Sequence, residues 1–369
     1  MSSLELPHAK KVVVVGAGGN IGSHLVPHLG RIPGVGSILL VDRDTYEPKN
    51  LAGQDAGRSD IGRAKAKVQA RKLRGINPEL EVTAVVDSVE NLPLGRLRAD
   101  VIVVCVDSRV SRQYLSRAAW RLRVVLIDAG VRAEGLLARV NVYLPGRNAP
   151  CMECAWSPVD YQAIEVKYPC PEHRPEAPAT NAPSSLGALA AALEAVELEK
   201  VLGGQWDEAL VGRQVLVSAT HHKHWVTSFR RNRDCRFDHR TWRVRRLRQG
   251  PEEITPGDVL ELGRKVGAGS GPVELYVEGK AFLGRLSCSG CGWTRKLPIR
   301  LSGRLRRSEE TCRQCGGSLR PVGFDTADWL SLQYLDEKLL TRPLRYLGFR
   351  AGDVFALSGP DKEVHFELA

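Results

Sequence analysis

The chain has 369 residues, of which 43% are hydrophobic and 26% charged, with a formal net charge of +11; this excludes a globally disordered chain and leaves room for two or three domains. The longest uninterrupted apolar run near the start, Val12–Val15, is far short of the roughly 20 residues that cross a bilayer, and Met1–Lys11 lacks the basic and apolar regions of a secretory signal. A cytoplasmic location is therefore expected, with nine cysteines serving as ligands, nucleophiles or core residues rather than disulfides.

In chain order, Lys11–Val15 reads as a short β-branched strand ending in glycines, and Ile21–Leu29 as a helix. Ser37–Asp42 is a second buried strand and Ile61–Gly75 has helical composition. Glu81–Val86, Val101–Val106 and Val124–Asp128 follow as strands, with a helix over Ser108–Leu122. Nearly continuous apolar strands alternating with helices predict an α/β fold, a Rossmann-like doubly wound and mostly parallel sheet covered on both faces. Residues 145–183 are Pro-rich and read as a long crossover loop. A helix begins near Ser184 or Ser185, with Leu186, Leu189, Leu193 and Val196 on one face, and stops at Gly203-Gly204. Between His221 and Gly250 ten Lys or Arg face only Asp234 and Asp238, a stretch suited to solvent, an acidic protein or nucleic acid. Gly250–Gly271 reads as a linker. The expected domains are 1–250, built on the doubly wound sheet, and 251–369, a small C-terminal unit.

The first strand delivers Gly16-Ala17-Gly18-Gly19-Asn20-Ile21-Gly22 to a helix start, where glycines let a phosphate approach the backbone and the helix offers free N–H groups. Strand two ends in Asp42, placed for a ribose hydroxyl. That much says nucleotide, and a nicotinamide-dependent oxidoreductase is the default reading, although Ile21 occupies the sixth position and the third glycine comes one residue late. Further along come Asp42-Arg43-Asp44, Asn50-Leu51-Ala52-Gly53-Gln54, Asp60-Ile61-Gly62-Arg63-Ala64-Lys65, Ile76-Asn77-Pro78 and Val104-Cys105-Val106-Asp107-Ser108, with Arg112 one helical turn on.

In this order the motifs resemble the adenylating family of ubiquitin-activating enzymes and of the activators of sulfur-carrier proteins in molybdopterin and thiamine synthesis (ThiF/MoeB-like), over about residues 8–240. The resemblance implies use of MgATP to adenylate the C-terminal carboxylate of a small β-grasp protein. It places Gly16, Gly18, Gly19, Asn20, Gly22, Asp42, Asp44, Asn50, Gln54, Lys65 and Asp107 around ATP. Lys65 is expected to set a positive charge on the phosphates and Asp107 to hold Mg²⁺, the bland alternatives being an exposed helical lysine and a helix cap. Two features depart from the family: Gly53 stands where it carries a phosphate-reaching arginine, with Arg58 nearby, and its arginine-bearing N-terminal helix is missing. A homodimer, a ubiquitin-like or sulfur-carrier protein ending in glycine, and a conjugating enzyme are the partners implied; no membrane partner is expected, and nucleic acid ranks behind the proteins.

Cys288-x2-Cys291 and Cys312-x2-Cys315, separated by 20 residues and each followed by glycine, have the spacing of a structural zinc ribbon, which binds either protein or nucleic acid. Cys151-x2-Cys154 is a half-site. The related activators close it with a pair after the crossover helix, which points to Cys235 and His239, with Cys170 and His173 as the competing pair. Two structural Zn²⁺ sites are thus expected. In the ubiquitin-activating branch the acyl-accepting cysteine lies in the crossover region, which makes Cys170 the candidate catalytic nucleophile, its thiolate aided by His173, Lys167 or the following helix start. Cys105 reads as core, and His221, His222 and His224 as surface or strand histidines.

Overall fold

The computed structural model describes residues 9–162, 164, 182–265, 271–359 and 362–369. Cys170, His173 and Lys167 lie outside the described residues. The chain divides into two compact units: described residues up to Val89 and from Leu97 to Thr241 form the first, and Glu90–Arg96 with Trp242–Ala369 the second. Among the described residues, no helix is long and apolar enough to cross a membrane.

In the first unit β1 (Lys10–Val15), β2 (Val35–Val41), β3 (Glu81–Val85), β4 (Val101–Val104) and β5 (Val125–Arg132) lie side by side in the order β3-β2-β1-β4-β5, all parallel. Val12, Val13 and Val14 are fully buried, because helices cover both faces and no alternation is needed. The helices are α1 (Gly22–Leu29), α2 (Lys65–Ile76), α3 (Arg109–Leu122), the single turn α4 (Pro158–Gln162) and α5 (Ser184–Leu202). β6 (Leu137–Tyr143), β7 (Arg213–Ser218) and β8 (Lys223–Ser228) extend the sheet antiparallel to eight strands. The chain leaves β1 toward β2 on one side and reaches β4 on the other, so the carboxyl ends of β1 and β4 flank the switch point at which open α/β sheets bind ligands.

The doubly wound, mostly parallel sheet is as expected, with local corrections. The second helix begins at Lys65, not Ile61, because Gly62 takes φ +78° and Ala64 is extended. On α5 the buried stripe is Leu186, Gly187, Ala190, Ala191, Glu194, Ala195 and Leu198, whereas Val196 is exposed. The helix is apolar nearly all round, so periodicity did not single out the face, and small residues let it lie close to the sheet. Ser184 is its first residue and bonds His24 Nε2 at 2.9 Å rather than capping the helix. The antiparallel strands went unread because β8 is exposed along its whole length and lacks an alternating pattern; His221, His222 and His224 are exposed at the β7–β8 hairpin.

The second unit holds more than a ribbon. β9 (Val244–Arg246), β10 (Glu274–Tyr276), β15 (Trp329–Ser331), β16 (Val354–Ser358) and β17 (Glu363–Glu367) form a five-stranded sheet ordered β15-β10-β16-β17-β9. Its core includes Leu275, Phe355, Leu357 and Phe366. The expected linker contains a helix, α6 (Pro256–Lys265), whose Val259 is fully buried in that core. Its start is a capping box with proline at the first helical position: Thr255 N donates to Asp258 Oδ2 at 2.8 Å and Asp258 N to Thr255 Oγ1 at 3.1 Å. β11 (Phe282–Cys288), β12 (Thr294–Leu301), β13 (Leu319–Pro321) and β14 (Thr326–Ala327) form the separate ribbon sheet, β12 and β13 flanking β11 antiparallel. Thr255→Ala is expected to cost about 1 kcal/mol, lowering the melting temperature of the second unit by a few degrees in calorimetry and speeding amide exchange at Val259 and Leu260.

Candidate active site

The turn after β1 runs backbone against backbone with the turn after β4. A Cβ on Gly16, which sits at φ +81°, would lie 2.7 Å from the Cys105 carbonyl oxygen, and one on Gly22 would lie 2.2 Å from the Gly16 oxygen. Both positions therefore require glycine. The N–H groups of Asn20 and Ile21, at the start of α1, have no backbone acceptor among the described residues.

Asp42 directly follows β2 and is buried. Its Oδ2 accepts from Gly18 N at 2.8 Å and its Oδ1 from Asp44 N at 3.0 Å. Burial pushes its pKa up, while these two N–H groups and the Lys65 charge pull it back toward the carboxylate. Lys65, the first residue of α2, has a side chain only 7% exposed, with Nζ 3.6 Å from Asp44 Oδ2 and 5.6 Å from the centre of the Tyr46 ring. A Cβ on Gly18 would lie 2.3 Å from Lys65 Cβ, so the lysine stem is packed against the phosphate-type loop. It is not an exposed helical lysine. Asp107 follows β4 at an exposed bend and forms no hydrogen bond or ion pair among the described residues. Ser108 caps α3 instead, accepting from Ser111 N at 3.3 Å, so the capping alternative for Asp107 is removed.

Two residues expected to face a ligand have local partners. Asn20 Nδ2 donates to the Gly53 oxygen at 2.5 Å and to the Ala182 oxygen at 3.2 Å. Asn50 Oδ1 accepts from Glu47 N at 2.8 Å and closes the turn over Pro48–Ala52. Gln54 Oε1 is buried and lacks a partner, as does Asn20 Oδ1. The glycine-lined turn and the buried Lys65 supply the N–H groups and the positive charge that suit a polyphosphate.

Beneath the turns lies a buried charge cluster that sequence reading did not anticipate. Asp128 on β5 is fully buried and pairs with Arg112 of α3 and, at 2.6 Å, with Arg139 of β6. Arg112 also donates to the Val106 oxygen, which fixes the segment leading to Asp107. Cys105 Sγ donates to Glu194 Oε2 at 3.3 Å, so Cys105 is core and also a hydrogen-bond donor. Burial raises the Glu194 carboxyl well above its ordinary pKa. The signal available in the sequence was a glutamate and an arginine on otherwise apolar helix faces.

The first cysteine cluster forms in the same unit. Cys151, Cys154, Cys235 and His239 present ligand atoms all within 4.8 Å of one another. Cys151 Sγ is 3.8 Å from Cys154 Sγ and 3.7 Å from Cys235 Sγ, and Cys154 Sγ is 3.2 Å from His239 Nε2. Zinc bonded to thiolates at about 2.3 Å sets tetrahedral sulfur–sulfur edges of about 3.8 Å, which is the separation found. The half-site is anchored by Glu153, buried and held by both Arg117 nitrogens at 2.7 and 2.9 Å. Trp120 packs edge-on to His239 and Phe237. In the second unit Cys288–Cys315 and Cys291–Cys312 Sγ separations are 3.5 and 3.6 Å. Its two turns match: Gly292 N bonds the Cys288 oxygen and Gly316 N the Cys312 oxygen, both at 3.0 Å and both glycines at positive φ.

The fold and site define a doubly wound nucleotide-type domain with a four-ligand cysteine cluster. A family model described as ThiF family matches residues 4–237; the chain belongs to the ThiF family. It is 32% identical over 149 residues to the sulfur carrier protein ThiS adenylyltransferase of Escherichia coli, covering 40% of this chain and 58% of that one. It is 28% identical over 231 residues to the SAMP-activating enzyme E1 of Haloferax volcanii, covering 62% and 79%. Among solved structures, E. coli MccB with ATP aligns at a TM-score of 0.50 and 25% identity, over 62% of this chain and 67% of that one.

Because the raised Glu194 pKa keeps the folded carboxyl protonated while the unfolded chain ionises, stability is expected to fall as pH rises above the ordinary glutamate value. Glu194→Gln should remove that slope, so that between about pH 5 and pH 8 thermal melting of the variant declines less than that of the parent.

Proposed function

We propose that the protein uses MgATP to adenylate the C-terminal carboxylate of a ubiquitin-like or sulfur-carrier protein. The observation that carries this reading is the gathering of Gly16–Gly22, Asp42, Asp44 and Lys65 at the carboxyl ends of β1 and β2, beside the turn that bears Asp107. Membership of the ThiF family supports it. A carboxylate oxygen of the carrier attacks the α-phosphorus, the bond to the bridging oxygen breaks, and pyrophosphate departs. Lys65 offsets the negative charge that builds on the phosphates, and Asp107, with Asp44, would hold Mg²⁺; the metal supplies further neutralisation. Asp42 orients the ribose side and keeps the Gly18 N–H in place. Asn20 ties the backbone at Gly53 and Ala182 to the start of α1, and Asn50 holds the turn that leads to Gln54. The 1–250 region would carry this chemistry and the 251–369 region the ribbon. If residues in this site act as proposed, Lys65→Ala and Asp107→Ala each reduce carrier-dependent ATP–pyrophosphate exchange at least ~100-fold, the scale of losing one preorganised electrostatic group. Near-normal exchange in both variants overturns the reading.

In the second step the Cys170 thiolate attacks the acyl-adenylate carbonyl, the acyl–phosphate bond breaks, AMP leaves and a thioester forms for a conjugating enzyme. A sulfur-carrier activator that stops at the adenylate is the alternative. Both cysteine clusters are proposed as structural zinc sites: Cys151, Cys154, Cys235 and His239 would hold one ion, and Cys288, Cys291, Cys312 and Cys315 the other. The donor sets support this, since one carries three sulfurs and an imidazole and the other four sulfurs, with no position left for a substrate. Cys170→Ser is expected to keep exchange activity and full zinc content while losing a thiol-sensitive thioester on gels. Loss of zinc in that variant assigns Cys170 to the metal instead, and zinc content halved by His239→Ala supports the assignment made here.

A further inference from the structure

The end of the sheet opposite the glycine turn holds a cavity that adenylation does not use. β6 runs antiparallel to β5, so its carboxyl end, where Tyr143 pairs with Leu126, lies at the amino ends of the parallel strands. There the turn after β6, the start of β7 and the end of β8 line a cavity of about 550 Å³, a size usual for small-molecule sites. Its apolar wall includes Leu144, Val211 and Phe229. Phe229 is fixed by stacking on Tyr143, with ring centres 5.9 Å apart, and by its N–H bond to the Gly212 oxygen at 2.7 Å. The polar wall is Arg147, Asn148, Arg213 and Ser228, and no Asp or Glu among the described residues lines the cavity. Arg213 donates from Nη2 to the Ala209 oxygen at 2.7 Å. The side chains of Arg147, Asn148 and Ser228 form no hydrogen bond or ion pair among the described residues. Two guanidinium groups thus share one cavity with no carboxylate to offset them, a repulsion that a bound anion would relieve.

We infer that this cavity binds a small organic anion, a carboxylate or a phosphate ester, with its oxygens held by Arg147 and Arg213 and its apolar body against Phe229 and Val211. The guanidinium fork fits either oxyanion, and Asn148 and Ser228 add neutral donors. The apolar wall favours an organic anion over the bare inorganic ion. The occupant also bridges two chain segments: Pro150 directly precedes Cys151, and Phe229 lies six residues before Cys235. Binding therefore braces the two segments that carry the halves of the first cysteine cluster. The inference does not rest on the adenylation reading.

The test is saturation-transfer NMR of the full-length protein with phenyl phosphate and with benzoate as probes, and with benzyl alcohol as their uncharged counterpart. Saturable binding of at least one anion is expected, in the millimolar range or tighter for ligands of this size, and it should weaken as salt is raised. The tighter of the two probes separates a phosphate-type from a carboxylate-type occupant. Arg147→Ala is expected to weaken binding about 10-fold, the scale of losing one hydrogen bond to a charged group, while Lys65→Ala leaves it unchanged. Arg213→Lys, which keeps the charge and loses the fork, should also bind more weakly. Arg147 is exposed, and unchanged circular dichroism confirms that each variant folds. No saturable binding of either anion, benzyl alcohol bound as tightly as both, or affinity indifferent to Arg147→Ala each overturns the inference. Binding lost in Lys65→Ala and kept in Arg147→Ala assigns the anion to the glycine turn and overturns it as well.

Discussion

The site depends on one close approach, that of the Gly16 backbone to the carbonyl of Cys105. It brings the turn after β1 and the turn after β4 together at the one place where the sheet's connections diverge. Everything expected of the site follows from that contact. Gly22 must be small because α1 starts directly against Gly16; Gly18 must be small because Lys65 packs on it; and Lys65 is thereby held near Asp44. Loop flexibility plays no part in this account, since each glycine is required by a named contact.

The price of bringing polar turns so close to the core is seen in the cluster beneath them. Asp128 is fully buried with two arginines, and Glu194, also fully buried, takes a hydrogen bond from Cys105. Removing one member would strand a charge, which is far more destabilising than never having built the pair. Two guanidinium groups on one carboxylate would leave an excess positive charge. Those two charges oppose the rise that burial gives the Glu194 carboxyl pKa, and Glu194 accepts the Cys105 thiol hydrogen bond at the edge of the cluster. The cluster links α3, β5, β6 and α5 and holds the segment between β4 and Asp107 through the Arg112 bond to the Val106 oxygen and the Cys105 bond to Glu194, so rigidity at the switch point comes from electrostatics below it as well as from packing.

Much of this was legible in the sequence because it rests on short, strongly patterned segments. Continuous apolar strands ending in glycine or aspartate, the Cys-x2-Cys pairs and the Lys65 and Asp107 positions all carry local signals. The failures also have physical causes. The α5 face was misread because Leu, Ala and Val surround the helix and close packing favoured its small side rather than its leucines. The 250–271 segment was read as a linker because Gly and Pro dominate its ends, although Thr255-Pro256-Gly257-Asp258 spells a helix start. The five-stranded sheet of the second unit uses strands of three to five residues whose partners lie far apart in sequence, and periodicity over so few residues cannot separate strand from loop. The buried charges were missed for a different reason: a lone arginine or glutamate on a helix shows its partner only after folding.

Gly53 departs from the family pattern for a reason the contacts supply. Its carbonyl accepts the Asn20 amide, and a Cβ placed there would lie 3.1 Å from the Ala182 oxygen and 3.4 Å from Asn20 Nδ2. Gly187 makes the complementary concession on α5, where a Cβ would lie 2.4 Å from Asn20 Oδ1. Asn20 thus sits between two backbone segments, 53–55 and 182–184, which close on the start of α1; Ser23 Oγ accepts from Asp55 N at 2.9 Å, and His24 meets Ser184 at 2.9 Å. A Cβ at position 53 would need the Ala182 oxygen to give by a few tenths of an ångström. The chain has exchanged a long cation at that position for a tight backbone junction, and the positive charge nearest the glycine turn is left to Lys65, whose stem the same turn already grips.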